Sequence, residues 1–336
     1  MTDAVPVKVD PQKTSLSLEY KLSRPLTACH WEPNSRFVFF GAEDNLIHRF
    51  DVSSRTVISL AAHDSWVRSF GSSLDGEVLY SGGYDGRLGF WPAAADKPDP
   101  IHMIDAHQGW LRAIAVSPDG KHIATCGNDL RVKLWDVAAG TLVKEFKGHK
   151  SHVYNLTFSQ DGSSLVTCDH KGVVNSWTVD SNEPRQLLTV KALHGYDTTF
   201  RADIGGARCI ALRSDGVQLA LGGISNVTNA FAGVGETAIA LVNLADGKLD
   251  RILQSKDKTK GTMWGVAHHP SGFWIGLSGG SGGGWLTFWT GDADHEFFKL
   301  KLKNDGRGMS LSHDRTQIVV AHADMHLRTY ALHGAT

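Results

Sequence analysis

The chain contains 336 residues, with 34 lysines and arginines against 35 aspartates and glutamates, so its formal net charge is only −1. This balance excludes the strong global field that draws a protein to nucleic acid or to an anionic membrane surface. No apolar run approaches the ~18 residues that span a bilayer, and the N-terminal stretch lacks the segments of a secretory signal, which together predict a cytoplasmic protein.

The predicted elements begin with an alternating apolar segment, TSLSLEYKL, at residues 14–22, which follows a tail of residues 1–13. After it, a turn of the type Pro-Asp-Gly recurs between two apolar runs, as tight turns between strands do. Its middle residues are Asn34, Asp75, Asp119, Asp161, Asp215, Ser271 and Asp314. Most successive turns lie 41 to 44 residues apart and two intervals are longer, so seven units fit and two of them are enlarged.

Each unit shows the period-2 apolar pattern of β-strands, seen best in RAIAVSPDGKHIATCGNDLRVKLWDV at residues 112–137. The third strand of this unit ends in Trp135-Asp136, and Gly148-His149 opens the next unit. With these motifs the chain resembles the WD40 repeat family, strongly over residues 60–180 and more weakly, but in register, over 26–52 and 208–332. The resemblance implies an all-β fold, a seven-bladed WD40-type β-propeller formed by residues 14–336 as one domain.

The seventh unit supplies strands near residues 307–313, 316–321 and 326–332, which leaves no residues for its outer strand. An unpaired strand edge is a liability that proteins avoid. This cost and the family resemblance together predict that segment 14–22 completes the last blade.

Two neighbouring units carry residues that could be mistaken for a hydrolytic triad. One set is His63, Ser81, Asp85 and Trp91, and the other is His107, Thr125, Asp129 and Trp135. An enzyme has no use for two copies in adjacent units, and the resemblance implies that blades bury these residues as a hydrogen-bond network, so we interpret both sets as structural. The fourth unit has Lys171 at the aspartate position, which predicts a less rigid blade or an outward-turned lysine.

We expect no metal, cofactor or phosphate-binding loop. The four cysteines, Cys29, Cys126, Cys168 and Cys209, lie far apart without CxxC spacing. The adjacent histidines of HHP at 268–270 would point to opposite sides of a strand, and HADMH at 322–326 belongs to no recurring ligand set. The glycine-rich GLSGGSGGGW at 276–285 is followed by neither Lys-Ser/Thr nor a helix, which favours a long turn in the sixth unit.

The strings HDSWVR at 63–68 and HQGWLR at 107–112 lie where the outer strand of one blade crosses to the first strand of the next. In WD40 propellers this crossing lies on the top face, at the mouth of the central channel, which is the family's usual partner-binding surface. Seven positions before each turn marker stand Thr27, Arg68, Arg112, Tyr154, Arg208, Trp264 and Arg307. The turns between strands two and three add Glu43, Tyr84, Asn128 and His170.

Four arginines that converge on one mouth repel one another unless they are neutralised. Either an acidic, carboxylate-terminated or phosphorylated ligand sits among them, or Glu43 and Asp305 neutralise two of them. A third interpretation is that each arginine stacks on a neighbouring aromatic ring as packing. These alternatives stay open at the level of sequence.

Two units are enlarged by insertions at residues 194–206 and 225–235, and both insertions belong to loops of the top face. Long loops on a rigid scaffold often carry function. We therefore expect a binding surface where these insertions lie beside the arginines.

The sequence thus predicts a non-enzymatic scaffold that binds a protein or peptide partner through the top face of the propeller. The predicted partner-binding residues are Arg68, Arg112, Arg208, Arg307, Trp66, Trp110, Tyr154 and Trp264. Neutral net charge disfavours direct nucleic-acid binding. The alternative is a propeller enzyme of the hydrolase or lactonase type, whose site at the channel mouth would need several inward-facing carboxylates where this chain offers arginines.

Overall fold

The computed structural model describes residues 8–61, 63–96, 98–181, 183–229 and 234–334. This part of the chain is almost all β-strand and turn, with single 3-10 turns at Pro11–Lys13 and Lys191–Leu193. Its strands form seven four-stranded antiparallel sheets and one separate two-stranded hairpin. The predicted all-β, seven-bladed arrangement is confirmed.

The first strand of the chain is β1 (Ser15–Lys21). Blade 1 contains β2 (Leu26–Trp31), β3 (Phe37–Ala42), β4 (Leu46–Asp51) and β5 (Val57–Ala61). Blade 2 contains β6 (Val67–Ser72), β7 (Val78–Gly83), β8 (Arg87–Pro92) and β9 (His102–Asp105). Blade 3 contains β10 (Leu111–Val116), β11 (His122–Gly127), β12 (Arg131–Asp136) and β13 (Leu142–Lys147). Blade 4 contains β14 (Val153–Phe158), β15 (Ser164–Asp169), β16 (Val173–Thr178) and β17 (Arg185–Thr189).

The separate hairpin follows blade 4 and consists of β18 (His194–Asp197) and β19 (Ala202–Gly205). Blade 5 contains β20 (Cys209–Leu212), β21 (Gln218–Asn229), β22 (Val234–Asn243) and β23 (Lys248–Leu253). Blade 6 contains β24 (Thr262–His269), β25 (Phe273–Gly279), β26 (Trp285–Thr290) and β27 (Phe298–Lys301). Blade 7 contains β28 (Gly306–Leu311), β29 (Gln317–His322), β30 (His326–Ala331) and, as its fourth strand, β1.

The turns that marked the repeat join the first two strands of each blade, and in five blades an aspartate side chain organises the turn. In blade 2 the Asp75 carboxylate accepts a hydrogen bond from the Ser73 hydroxyl (2.5 Å) and another from the backbone N–H two residues on (3.0 Å). The next residue, Gly76, has a φ of +77°, which favours glycine. Asp119 repeats these contacts in blade 3.

The core is divided among the junctions between blades. The described residues contain seven clusters of buried apolar side chains, and each cluster draws on two neighbouring blades. Phe39 of blade 1 and Trp91 of blade 2 share one cluster, for example, and Phe50 of blade 1 shares another with Val319 of blade 7. Because each blade needs both neighbours to cover it, the apolar surface is buried completely only when the ring is closed.

Strand β1 closes the ring, as the sequence predicted. It pairs antiparallel with β30 along its whole length. Its Leu18 and Tyr20 side chains pack against the cluster between blades 7 and 1. The Glu19 carboxylate accepts a hydrogen bond from Nε of Arg328, whose side chain is buried. This one strand therefore supplies backbone pairing, apolar burial and a charge-assisted hydrogen bond to the last blade.

The residues just before β1 continue along the same blade. Val9 is buried and forms a β-bridge with Gly334. The backbone N–H of Asp10 donates to the carbonyl of His333 (2.6 Å). Contact with the last blade thus begins ahead of segment 14–22.

The predicted hydrogen-bond networks are present in blades 2 and 3. In blade 2 the Trp91 indole N–H donates to Ser81 Oγ (2.8 Å). Ser81 Oγ lies 2.9 Å from His63 Nε2, and His63 Nδ1 lies 3.0 Å from the Asp85 carboxylate. A neutral imidazole with its proton on Nδ1 satisfies every group, because the hydroxyl then donates to Nε2. Blade 3 has the same series of hydrogen bonds, which supports the structural interpretation of both sets; its members are Trp135, Thr125, His107 and Asp129.

The carboxylates of these networks stabilise the blades in a pH-dependent way. Burial raises the pKa of Asp85, but hydrogen bonds from His63 and from backbone N–H groups lower it by more, so the net pKa lies below the ordinary 3.8. The same balance lowers the pKa of Asp129 beside His107. Because these folded-state values are depressed, the stabilisation is present above the unfolded-state pKa and is lost as the pH falls through the folded-state value.

In blade 4 the second of the two alternatives is confirmed, since Lys171 turns outward, and the network is not weakened. The network is complete, because Asp169 Oδ2 lies 3.1 Å from the imidazole Nδ1, while Lys171 turns outward and pairs with Asp203 (2.8 Å). Asp169 stands where blade 2 has Gly83, at which a Cβ would lie 2.5 Å from Asp85 Oδ1. A side chain at this position therefore reaches the space that the Asp85 carboxylate fills in blade 2.

Deletion of residues 1–22 should open the ring, because it exposes the edge of β30 and the apolar surface that Leu18 and Tyr20 cover. Covering a large apolar side chain is worth up to about 1.5–3 kcal/mol, and 1 kcal/mol shifts the melting temperature of a large domain by about 2 °C. The truncated protein should therefore melt at least ~5 °C lower in scanning calorimetry. A truncated protein that melts like the full-length chain would contradict this closure.

Asp169→Ala should lower the free energy of unfolding by about 2–3 kcal/mol, because it leaves a buried imidazole and two backbone N–H groups without their charged acceptor. Lys171→Ala is the matched control, since its ion pair is exposed and should leave the melting temperature almost unchanged. Denaturant unfolding of both variants measures the difference. Equal destabilisation by the two changes would contradict the role of Asp169 as the acceptor of the network.

Candidate functional site

The first strands of the seven blades surround a cavity of about 310 Å³ at the centre of the ring. Six of the eight side chains predicted for partner binding line it: Arg68, Arg112, Tyr154, Arg208, Trp264 and Arg307. Trp66 lines an adjoining cavity of about 340 Å³ that shares three of these residues. Trp110 stacks on Tyr84, which lines both cavities. The structure thus brings all eight residues together, and we call them, with Tyr84, the rim.

Three aromatic rings stack on the side of the rim formed by blades 2 and 3. The ring centroids of Trp66 and Tyr84 lie 6.4 Å apart, and those of Tyr84 and Trp110 lie 4.0 Å apart and nearly parallel. Tyr84 is held in place because its backbone N–H donates to the Trp66 carbonyl (2.9 Å). Trp66 and Trp110 are 39% and 42% exposed. This aromatic platform (Trp66, Tyr84 and Trp110) offers rigid apolar surface to the solvent.

Arginines and aromatic rings alternate around the rim. The Arg112 guanidinium carbon lies 4.5 Å from the Trp110 ring centroid and 4.4 Å from that of Tyr154. The Arg208 guanidinium carbon also lies 4.5 Å from the Tyr154 ring centroid. Trp264 in turn lies within 6 Å of both Arg208 and Arg68, at 5.9 and 5.5 Å. Cation–π attraction therefore fixes the position of three of the four arginines.

The four arginines differ in their hydrogen bonds and charge partners. Arg307 donates to Glu43 Oε1 at 2.6 Å and is neutralised by it. Arg112 donates through Nε to an amide oxygen, Asn128 Oδ1 (2.8 Å), and Arg68 donates to the carbonyl of the first-strand threonine of blade 1. Nε of Arg208 is buried without a hydrogen-bond partner.

Arg68, Arg112 and Arg208 form no ion pair with any described carboxylate. Of the two neutralising groups that the sequence suggested, Glu43 therefore acts on one arginine and Asp305 on none. Three positive charges face the channel mouth without a counter-charge from the described chain. We call these three residues the arginine trio.

The electrostatic effect of the trio is visible in its surroundings. Burial lowers the pKa of Arg112, the two tyrosines act against this, and the charges of Arg208 and Arg68 lower it further. Burial, followed by the charge of Arg208, lowers the pKa of His170 to about 4. Burial and Arg112 lower the pKa of His152 in the same way. These histidines are thus neutral at pH 7, and the trio carries the positive charge of this side of the rim.

The described parts of the two insertions form β-strands, where the sequence predicted only long loops. Residues 194–205 form the β18–β19 hairpin, which packs against β21. Residues 225–229 and 234–235 extend β21 and β22, and residues 230–233 of that insertion lie outside the described residues. Tyr196 and Phe200 of the first hairpin are more than half exposed. The first hairpin thus lies where blade 4 leads into blade 5, and the second insertion pairs with the segment that leads to blade 6, where the Gly261 N–H donates to the Gly235 carbonyl (3.0 Å).

The side chains that could have carried other chemistry have structural partners. His322 Nδ1 contacts a backbone carbonyl (3.0 Å), and His326 contacts Asp324, so HADMH does not converge on one point. Over the described ranges, no group of three or more His, Cys, Asp or Glu side chains could hold a metal ion. All four cysteines are free thiols, and burial raises the pKa of Cys29 and of Cys168 to about 12.

The glycine-rich stretch forms the turn between β25 and β26, as expected, with positive φ at Gly280 and Gly283. No helix among the described residues is long and apolar enough to cross a membrane.

Comparison with protein families agrees with this architecture. The family model for the WD domain, G-beta repeat (WD40), matches residues 54–92, 98–136 and 140–178. Each match covers the outer strand of one blade and the first three strands of the next, which is the offset that β1 and blade 7 reproduce at ring closure. Among curated proteins, no sequence matches the chain. The chain therefore contains three WD40 repeats within a seven-bladed β-propeller.

Proposed function

We propose that this protein is a non-enzymatic interaction scaffold that binds a partner protein or peptide through the rim. WD40 propellers typically serve as protein-interaction scaffolds, and the observation that carries the proposal for this chain is the convergence of all eight predicted residues on one channel mouth. No single blade could present this surface, because it is assembled from the first strands of several blades and the turns beside them.

The aromatic platform supplies the apolar anchor for a partner. Trp66 and Trp110 are large, rigid and partly exposed, so covering them removes much apolar area from water at little cost in side-chain entropy. Tryptophan, tyrosine and arginine are the residues most enriched at the energetic centres of interfaces. The platform lies directly beside Arg112, which combines apolar and charged contacts in one place.

The arginine trio gives this surface a preference for acidic partners. Its charges lie within a half-buried mouth, where screening by salt is weaker than on an open surface. An acidic segment would be attracted at long range and held by hydrogen bonds at short range.

The rival hypothesis, a hydrolase or lactonase at the channel mouth, finds less support. Of the described residues that line the two cavities, only Asp305 carries a carboxylate. The Ser-His-Asp set of blade 2 is buried in its structural network. We therefore favour partner binding over hydrolysis as the role of the channel mouth.

Three sequence predictions belong to the same proposal. Residues 14–336 act as one domain with a tail of residues 1–13, the protein works in the cytoplasm, and it does not bind nucleic acid directly. The free cysteines and the nearly neutral net charge support the last two.

A Trp66→Ala/Arg112→Ala double variant should lose its partner. Truncation of two residues at the centre of an interface costs about 2 kcal/mol or more each, so the amount of partner recovered by affinity purification and mass spectrometry should fall at least about tenfold. A matched control is Leu142→Ala/Arg131→Ala, which removes an exposed apolar residue and an arginine from the outer strands of blade 3. Equal recovery by both double variants, at equal melting temperatures, would refute the rim as the binding site.

A further inference from the structure

We propose that the arginine trio is a site for a dianion, and that it holds the phosphoryl group of a phosphorylated partner peptide. This inference rests on the proposed function, because it names the chemical group that the rim recognises. It is carried by the geometry of Arg68, Arg112 and Arg208 and by the pairing of Arg307 with Glu43.

The first step concerns the faces and edges of the guanidinium groups. Aromatic rings lie against the trio at 4.4 to 5.9 Å, so stacking and anion binding are not alternatives at this site. Stacking uses the planar face of a guanidinium, whereas hydrogen bonds leave from its edge. Each guanidinium carries five N–H donors. Arg112 donates one hydrogen bond to Asn128, and the side chain of Arg208 donates none to described residues. The ring contacts therefore hold the three guanidiniums in place while most of their N–H donors are not used by described residues.

The second step concerns charge. Three guanidiniums share one half-buried mouth, and each raises the energy of the others. Burial is the main cause that lowers the pKa of Arg112, and the positive charges of Arg208 and Arg68 lower it further. The described chain supplies no carboxylate to them, although it supplies Glu43 to Arg307 on the same rim. An anion bound among the three guanidiniums would offset this repulsion.

The third step selects the anion. The Arg307–Glu43 pair shows what one carboxylate does at this rim: it neutralises one guanidinium. Three remaining charges are better matched by a phosphate monoester, which brings a charge of about −1.5 to −2 and three strong acceptor oxygens. A carboxylate brings one charge and two oxygens. Arginine clusters bind phosphoryl groups through such charge-assisted hydrogen bonds.

The fourth step identifies the source of the phosphoryl group. The aromatic platform adjoins the trio through Trp110 and Arg112, so a ligand held by the trio extends over exposed rings. A peptide has residues on both sides of its phosphorylated side chain that can cover Trp66 and Trp110. A free phosphate ion or a small phosphate ester would leave the platform uncovered.

The test uses inorganic phosphate as the probe and isothermal titration of the full-length protein, with acetate at equal ionic strength as the comparison. Phosphate should bind at least about tenfold more tightly than acetate, since it makes more charge-assisted hydrogen bonds. Arg208→Gln should weaken phosphate binding about tenfold or more. Arg87→Gln removes the same charge from an arginine of blade 2 that pairs with Asp64, and should leave phosphate affinity within about twofold.

Glu43→Gln gives an effect of opposite sign. It removes the counter-charge of Arg307 and frees a fourth guanidinium, so phosphate affinity should rise about threefold or more. A purely structural rim would not gain anion affinity from this change, and the test holds even if the Arg208 variant does not fold. Equal affinity for acetate and phosphate, an unchanged affinity in Glu43→Gln, or equal effects of the Arg208 and Arg87 variants would each overturn the proposal.

A second titration separates the sources of the phosphoryl group. A degenerate phosphoserine peptide mixture should bind more tightly than free O-phosphoserine, and Trp66→Ala should abolish that gain without changing the affinity for O-phosphoserine. Equal affinity for the two would overturn the peptide as the source. Failure to bind phosphate while the Trp66→Ala/Arg112→Ala variant still loses its partner would refute this inference alone and leave the proposed function standing.

Discussion

Each blade of this protein is a thin sheet whose apolar faces can be covered only by the blade before it and the blade after it. The seven buried clusters at the seven junctions follow from this constraint, and the pairing of β1 with β30 satisfies it at the last junction. Ring closure is therefore the interaction on which the remaining structure depends. It also brings the first strands of all seven blades around one cavity, where the predicted side chains meet.

At the channel mouth the structure holds several arginines near one another although their like charges repel. The stacking of Arg112 between Trp110 and Tyr154, and the contact of Arg208 with Tyr154, stabilise positions that charge repulsion opposes. The repulsion is removed from Arg307 by Glu43 and stays at the other three. A rigid scaffold can maintain such an arrangement because the cost is covered by the burial of seven apolar clusters elsewhere. Preorganised charge of this kind is well suited to binding, since little rearrangement is needed when a ligand arrives.

The sequence predicted the features that are local and periodic. Strands, turns and the number of blades follow from apolar alternation and from turns such as the one at Asp75, and the closing role of residues 14–22 follows from counting strands. The convergence of the predicted rim residues follows as well, because equivalent positions of equivalent blades face one mouth. These predictions need only the repeat and the geometry of a sheet.

The outward direction of Lys171 was predicted as one of two alternatives, but the role of Asp169 was not predicted. Asp169 occupies the position that Gly83 has in blade 2, where an added Cβ would point into the network. Only the structure shows that its carboxylate reaches the histidine. The sequence did carry a signal: where blade 2 has Gly83 and Asp85, blade 4 has Asp169 and Lys171, so the aspartate has moved by two positions. The strands of the two insertions were missed because they lack a clear apolar alternation. The sequence also could not show which arginine pairs with Glu43, because the partner, Arg307, lies far from it in sequence and is brought beside it only by the fold.

The central claim is that closure of the ring delivers Arg68, Arg112 and Arg208 to one place, where they act together on an anion. A crystal structure of the full-length protein grown in phosphate tests it most directly. The account predicts a phosphate ion within hydrogen-bond distance, about 2.7–2.9 Å, of guanidinium nitrogens from all three residues. Arginines on separate surfaces, a blade count other than seven, or an empty mouth in saturating phosphate would contradict it.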